Sequence, residues 1–132
     1  MFLNSLNKVE KVAFLELAHH MARSNNDFDD IQKSIIGQYC LEMQIEDIEY
    51  DEKTFDILTT LKKIDEAKSK KIILLEIMAL VYSNNQIDKE EQEVLDIIVN
   101  ELNLSSALVS VYGEWTKAIL AISAQGQALI EI

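Results

Sequence analysis

The chain has 132 residues, enough for one domain that buries its own core. Its hydrophobic content of 48% argues against a disordered chain, and its formal net charge of −11 argues against nucleic acid as a ligand, because phosphate backbones are also negative. Basic protein surfaces or metal cations suit this charge better. With no proline and only three glycines, the sequence predicts long helices and few tight β-turns.

The sequence also predicts a compartment. Cys40 is the single cysteine, which excludes an internal disulfide and suits a reducing environment. The segment MFLNSLNKVEK has neither a basic leader nor an extended apolar region, so no signal peptide is expected. The most apolar stretch, Ile72 to Tyr82, contains Glu76 and is shorter than the roughly 20 residues that cross a bilayer. We therefore expect a soluble cytoplasmic protein that does not insert into membranes.

The first half of the chain predicts two helices. From Val9 to Ala22, apolar residues recur at steps of three and four, as on the buried face of a helix. Asn7 and Glu10 have the spacing of a capping box at its start. A second helix is predicted from Asp30 to Met43, with Asp29 as its N-cap.

Four further helices are predicted in the rest of the chain. A short helix from Lys53 to Lys63 has an acidic start and a basic end, which match the helix macrodipole. The segment Lys71 to Tyr82 repeats the character of the first helix, and Lys89 to Leu102 repeats that of the second. A last helix begins after Ser105, which is its expected cap. No segment alternates with period two for long enough to form a strand, so the predicted fold class is all-α.

The chain contains an internal repeat. The stretch SNNDFDD, from Ser24 to Asp30, has a counterpart in SNNQIDKEE, from Ser83 to Glu91, and each lies between two predicted helices. The two copies of the repeat can be aligned in two ways. Matching the SNN triplets gives one register, whereas matching LEL (Leu15 to Leu17) with LEI (Leu75 to Ile77) shifts the first helix by one residue. The sequence predicts a single domain, 1–132, in the form of a compact bundle of about six helices. Two pseudo-symmetric hairpins, about 8–44 and 70–103, are closed by a helix at about 105–130.

The second hairpin resembles the TerB-like (tellurite-resistance protein B) family. That family has an apolar helix, a short Asp-Gly turn, an aliphatic residue, an Asp, and a Glu three residues later. Here Asn84 and Asn85 occupy the turn, Ile87 is the aliphatic residue, and Asp88 and Glu91 match the acidic pair.

The first hairpin follows the same family pattern with more departures. Asn25 and Asn26 occupy the turn, Phe28 replaces the aliphatic residue, Asp29 matches the Asp, and Gln32 stands in place of Glu. The resemblance spans about residues 9–104 and implies an all-helical fold with internal pseudo-symmetry. It also implies a small metal-linked or partner-binding module of a stress response. The replaced Asp and Glu remove oxygen donors that a family-type cation site would use.

The two SNN turns have two interpretations. In the first, an Asn adopts positive φ after a helix, and Asp29 or Asp88 caps the next helix, with Glu91 completing a capping box. In the second, the turns bind a hard divalent cation, Ca²⁺, Mg²⁺ or Mn²⁺, which prefers oxygen ligands. The candidate metal ligands are Asp27, Asp29, Asp30, Asn84, Asp88 and Glu91.

Two carboxylates lie within apolar helical segments. Glu16 is in FLELA and Glu76 is in LLEIM, and a buried charge must be paired, hydrogen-bonded or neutralised. They are expected either to lie at the edge of the apolar face and reach solvent, or to be functional. A functional arrangement pairs them across the pseudo-symmetric interface, or places Glu16 beside His20 at i+4.

No catalytic site is predicted. Zinc requires three or four nitrogen or sulfur ligands, whereas the adjacent pair His19 and His20 has only Cys40, on another helix, as a further soft ligand. The serines lack a glycine-flanked elbow and an ordered Ser/His/Asp set. The protein is therefore expected not to be an enzyme.

Two surfaces are candidates for binding another protein or a second copy of the chain. The acidic segment from Glu46 to Asp56 is suited to attracting a basic partner. The last helix carries few charges, and its apolar strip is suited to an interface. The predicted interface residues are Trp115, Ile119, Ile122 and Leu129. The leading hypothesis is a non-enzymatic protein-interaction module, and the alternative is a divalent-cation binder or sensor.

Overall fold

The structure, a computed structural model, describes residues 1–84 and 87–132. This part of the chain forms six α-helices and no strand, which confirms the predicted all-α fold class. None of these helices is long and apolar enough to cross a membrane. Short 3-10 helices lie at Leu3–Ser5 and Tyr82–Asn84. The α-helices are α1 (Lys8–Arg23), α2 (Asp30–Met43), α3 (Ile57–Leu61), α4 (Ala67–Val81), α5 (Lys89–Leu102) and α6 (Ser106–Ile130).

The helix between the two hairpins is shorter than the sequence predicted. Helix α3 begins at Ile57 rather than at Lys53. The side chain of Asp51 accepts a hydrogen bond from the Lys53 amide at 3.0 Å, and the Asp51 carbonyl accepts one from the Phe55 amide, also at 3.0 Å. This local turn competes with helix formation, so the acidic residues before α3 do not form its first turn.

Helices α1 and α4 form the centre of the fold. Helix α4 is buried over most of its circumference, and α1, α5 and α6 pack around it. Beside it, the Phe14 and Tyr39 rings meet edge to face at 5.1 Å, and the Tyr39 hydroxyl donates to the carbonyl of Glu76 at 3.1 Å. The buried apolar residues of α4 are Ile72, Ile73, Leu74, Ile77, Met78, Leu80 and Val81.

The two hairpins have the same local geometry at a constant offset. Asp29 and Asp88, which are 59 residues apart, are the N-caps of α2 and α5. The C-caps of these helices, Gln44 and Asn103, have the same offset, and both are left-handed with φ of 57° and 55°. Helix α4 begins 59 residues after α1, at Ala67 rather than at Lys71 as predicted. The structure therefore has the register given by the two SNN triplets.

Helix α6 packs on the bundle with only part of its length. Gly113 and Thr116 are buried, and Tyr112 and Ile119 are half-buried against α4 and its neighbours. From residue 121 onward, every residue of the helix is exposed. The first part of α6 thus closes the core as predicted, and its last turns extend beyond it.

We expect the two N-caps to stabilise the fold to different degrees. Asp29→Ala removes the hydrogen bond to the Gln32 amide and should lower the free energy of unfolding by about 1 kcal/mol. Asp88→Ala should cost up to about 2 kcal/mol, because Asp88 also accepts a hydrogen bond from Asn25. Urea unfolding followed by circular dichroism measures both changes.

Asp30→Ala is the matched control for these caps. Asp30 is exposed and forms only a long ion pair with Lys33 at 3.8 Å, so its replacement should change stability by less than about 0.5 kcal/mol. An equal loss of stability in the Asp29→Ala and Asp30→Ala proteins would contradict the capping assignment.

Candidate functional site

The two repeated turns contact each other. The Asn25 side-chain oxygen accepts a hydrogen bond from the Asp27 amide at 3.0 Å, which orients the Asn25 amide nitrogen toward the second hairpin. That nitrogen donates to Asp88 Oδ2 at 2.5 Å. The other oxygen of Asp88 accepts a hydrogen bond from the Glu91 amide at 2.8 Å. The turn of the first hairpin is therefore tied directly to the N-cap of the second.

The predicted metal ligands are only partly brought together. Asp27 and Asp30 are exposed, and Asp29 accepts a hydrogen bond from the Gln32 amide at 2.8 Å. Asp88 and Glu91 form a reciprocal capping box. The side chain of Asn84 lies outside the described residues. Among the residues that the structure describes, those of the two turns included, no group of three or more His, Cys, Asp or Glu side chains has an arrangement that would hold a metal ion.

The carboxyl of Glu91 is buried and only partly hydrogen-bonded. Its Oε1 accepts a hydrogen bond from the Asp88 amide at 3.3 Å, whereas its buried Oε2 has no hydrogen-bond partner among the described residues. Burial, together with the nearby charges of Asp88 and Asp29, raises the pKa of Glu91 to about 7. In the first hairpin the equivalent residue is Gln32, which is also buried. The buried side chain at this position is thus an amide in the first hairpin and a carboxyl in the second.

Glu76 is buried rather than placed at the edge of an apolar face. Its Oε1 accepts hydrogen bonds from the Met1 ammonium at 2.8 Å and from the Phe2 amide at 3.1 Å. Glu42 also binds the Met1 ammonium, at 2.9 Å. Although burial alone lowers it, the pKa of the Met1 amino group is raised by these two carboxylates. Glu76 therefore pairs with the N-terminal segment and not with Glu16.

Glu16 and His20 do not form the predicted pair. Glu16 is half-buried, accepts a hydrogen bond from the Thr60 hydroxyl at 3.2 Å and lies 3.9 Å from the Lys63 ammonium. The Nδ1 atom of His20 lies 2.8 Å from the Tyr50 hydroxyl oxygen, and burial lowers the pKa of His20. Each side chain is thus engaged by the segment between the hairpins.

A histidine and aromatic cluster was not predicted from the sequence. The buried His19 has Nε2 at 2.8 Å from Asp47 Oδ1, and its Nδ1 is 3.4 Å from the Arg23 guanidinium. The Arg23 guanidinium also lies over the Phe28 ring at 4.3 Å and the Tyr50 ring at 5.3 Å. Contacts at both ring nitrogens fix the orientation of the His19 ring. The cluster joins α1 to the loop residues Phe28, Asp47 and Tyr50. These three residues lie outside α1, so the helical spacing within α1 gave no signal of the contact.

Two acidic grooves lie on either side of Tyr50. One, of about 360 Å³, is bordered by Glu52, Glu90 and Glu93. The other, of about 290 Å³, is bordered by Glu49, Asp51 and Asp56, among others. The predicted acidic segment therefore contributes to the walls of two grooves, and Glu90 and Glu93 of α5 add to the first. Together these carboxylates create a negative potential that favours a basic partner.

Helix α6 exposes a line of apolar side chains. Of the four predicted interface residues, Trp115, Ile122 and Leu129 are 39%, 61% and 70% exposed, whereas Ile119 is half-buried toward the bundle. Val111, which the prediction did not include, lies on the same line and is 61% exposed. The Trp115 and Phe2 rings are 6.3 Å apart. Val111, Trp115, Ile122 and Leu129 thus form an exposed apolar line along one side of α6.

The chain matches none of the protein-family models, curated proteins or solved structures with which it was compared. The resemblance to the TerB-like family therefore remains a prediction based on the residues of the two turns.

Glu91 should make stability depend on pH. Between its usual pKa of 4.5 and about 7, the folded protein holds the Glu91 proton and the unfolded chain does not. The free energy of unfolding should therefore fall as the pH rises through this interval. Glu91→Gln should remove that dependence and raise stability at pH values above it by about 1–3 kcal/mol. Urea unfolding over a series of pH values measures the effect.

Glu93→Gln is the matched control, because Glu93 is an exposed carboxylate on the same helix. It removes the same charge and should leave the pH dependence unchanged. If Glu91→Gln retained the pH dependence of the unmodified protein, Glu91 would not be the titrating group.

Proposed function

We propose that this protein is a non-enzymatic, TerB-like module of the cytoplasm that binds another protein chain through the exposed apolar line on α6. The observation that carries the proposal is the length of α6. The last buried residue of α6 is Thr116 and the last half-buried one is Leu120, yet the helix continues to Ile130. A helix in this position buries its remaining apolar side chains only by contact with another molecule.

The composition of α6 supports binding rather than simple solvation. Residues 118–130 contain no Asp, Glu, Lys or Arg, although the whole chain has a formal charge of −11. Fully burying one Leu, Ile or Val side chain contributes about 1.5–3 kcal/mol. Three or four such side chains contribute a free energy comparable to the cost of association, as expected for a weak, reversible contact.

The state of the titratable groups supports a non-enzymatic role. Burial, with a further contribution from Asp47, raises the pKa of the Cys40 thiol to about 11, the opposite of what a nucleophilic cysteine needs. His19 and His20 contact Asp47 and Tyr50, and Glu16 and Glu76 are held by structural partners. These groups stabilise the packing of the loops on the bundle.

The acidic grooves beside Tyr50 support a second contribution to binding. Their carboxylates lie on the loop between the hairpins and on α5, away from the exposed line on α6. Such a surface accelerates the approach of a basic partner, and its effect weakens as salt is added.

A photo-cross-linking residue placed at Ile122 tests the proposed binding surface. In cells, it should give a discrete covalent adduct with a protein, because Ile122 lies in the middle of the exposed line. The same residue placed at Leu41 is the control, since Leu41 is 80% exposed but belongs to α2 and not to this line. Adducts of equal yield from both positions, or none from Ile122, would contradict the proposal.

A second candidate function, divalent-cation binding at the joined turns, is favoured by one observation. The buried Oε2 of Glu91 has no hydrogen-bond partner in the described part of the chain, and it lies near Asp88 and Asp29. A cation would satisfy this oxygen.

Thermal unfolding of chelator-treated protein with millimolar Ca²⁺, Mg²⁺ or Mn²⁺ tests this candidate. A cation present at about 100 times its Kd should add about 2.7 kcal/mol, a shift of several degrees in Tm. Glu91→Gln should abolish the shift, whereas Glu93→Gln should preserve it. A Tm that no cation changes would contradict cation binding at the turns.

A further inference from the structure

We propose that the partner of α6 is α6 of a second copy of the same chain, packed antiparallel as a two-helix coiled coil. This inference rests on the proposed function, because it identifies the molecule that covers the exposed line on α6.

Together with the exposed residues Ala118 and Gln125, which lie between its members, the exposed line has the spacing of a coiled-coil seam. Successive members are separated by four, three, four, three and four residues, the heptad pattern that keeps a seam facing one partner. All of them are exposed, and the buried residues Gly113 and Thr116 lie on a different face. The seam residues are Val111, Trp115, Ala118, Ile122, Gln125 and Leu129.

The seam is self-complementary when two copies run in opposite directions. With a two-fold axis near residue 120, Ala118 faces Ile122 of the second copy, so a small side chain meets a large one. Val111 then faces Leu129 of the second copy. Trp115 faces Gln125 of the second copy, whose side-chain oxygen is an acceptor for the indole N–H. Every seam position has a suitable counterpart in this one register.

The charge distribution favours α6 as the contacting helix, and it favours antiparallel over parallel pairing of the two α6 helices. Each chain carries a formal charge of −11, so two copies repel each other over most of their surfaces. Beyond Lys117, which pairs with Glu114 at 3.6 Å, α6 has no charged residue. Antiparallel pairing about residue 120 places the packed segments of the two copies, residues 106–120, on opposite sides of the two-fold axis. The midpoints of these segments are then about 21 Å apart along the helix, more than twice the Debye length of about 8 Å.

The surface beside the seam extends the contact. A cleft of about 150 Å³ opens next to Trp115, between α6 and α4, and Leu75, Ala79 and Ile119 contribute to its walls. A helix lying along the seam covers the mouth of this cleft. Trp115 is also contacted by Phe2, which is 42% exposed and borders the same surface.

The size of the seam indicates a weak, reversible dimer. Nineteen residues form about 28 Å of helix, and covering one side of a cylinder about 10 Å wide buries roughly 450 Å² per chain. The total of about 900 Å² lies in the range of transient complexes rather than obligate dimers. The folded bundle therefore exists as a monomer at low concentration and pairs as concentration rises.

Sedimentation velocity of the full chain from about 1 μM to about 1 mM, the range of weak association, tests the pairing. The mass should rise from 15.1 kDa toward twice that value. Ile122→Glu should keep the chain monomeric throughout, because it places an unpaired carboxylate in the seam, and circular dichroism should show an unchanged fold. Leu41→Glu, which adds the same charge at an exposed site on α2, should still dimerise. A monomer at every concentration, or dimerisation that survives Ile122→Glu, would overturn the inference.

Cysteine cross-linking in a Cys40→Ala background tests the direction of pairing. A mixture of Val111→Cys and Leu129→Cys chains should form a disulfide between the two variants, whereas neither variant alone should do so. Efficient disulfide formation by Val111→Cys alone would indicate parallel helices and overturn the antiparallel assignment.

The photo-cross-linking experiment at Ile122 separates this inference from the proposed function. An adduct of twice the chain mass supports self-association. An adduct with a different protein, formed by a chain that remains monomeric in sedimentation, overturns self-association and supports the proposed function. Absence of any adduct together with a monomeric chain overturns both.

Discussion

The burial of α4 is the constraint on which the rest of the structure depends. An amphipathic helix needs one neighbour, but α4 is apolar over most of its circumference and needs neighbours on several sides. Helix α1 covers one side, α5 another, and α6 the face that the two hairpins leave open. Because α4 is shorter than α6, covering α4 does not bury all of α6. The exposed apolar line is thus a consequence of closing the core with a longer helix.

The repeated turns contribute to the fold through hydrogen bonds. Asp29 and Asp88 each accept from the amide three residues on, which satisfies donors that a helix start leaves unpaired. The Asn25 side chain adds a link between the hairpins. Glu91 stands where the first hairpin has Gln32, and it introduces a titratable group into the interior beside the second turn.

Much of the fold was predictable because helix caps and apolar periodicity act over a few residues. The bounds of α2 and α5 and the caps Asn7, Asp29, Asp88 and Ser105 were all predicted correctly. The start of α3 was predicted wrongly because the local turn at Asp51 competes with the helix. The contacts of Glu76 with Met1 and of His20 with Tyr50 join residues 75 and 30 positions apart, and one sequence gives no signal at such distances. The apolar strip of α6 was predicted from the sequence with Ile119 as a member, but Ile119 is half-buried, because which side of α6 is exposed depends on how the helix packs on α4.

Hydrogen exchange across α6 at low and high protein concentration tests most directly the claim that its exposed apolar line is an interface between chains. Amides near the bundle, around Gly113 and Thr116, should be protected at both concentrations because that part of the helix packs on the core. Amides from residue 121 onward should exchange rapidly in dilute protein and become protected in concentrated protein. Equal exchange of this segment at both concentrations would show that the end of α6 has no second copy to bind and would contradict the account.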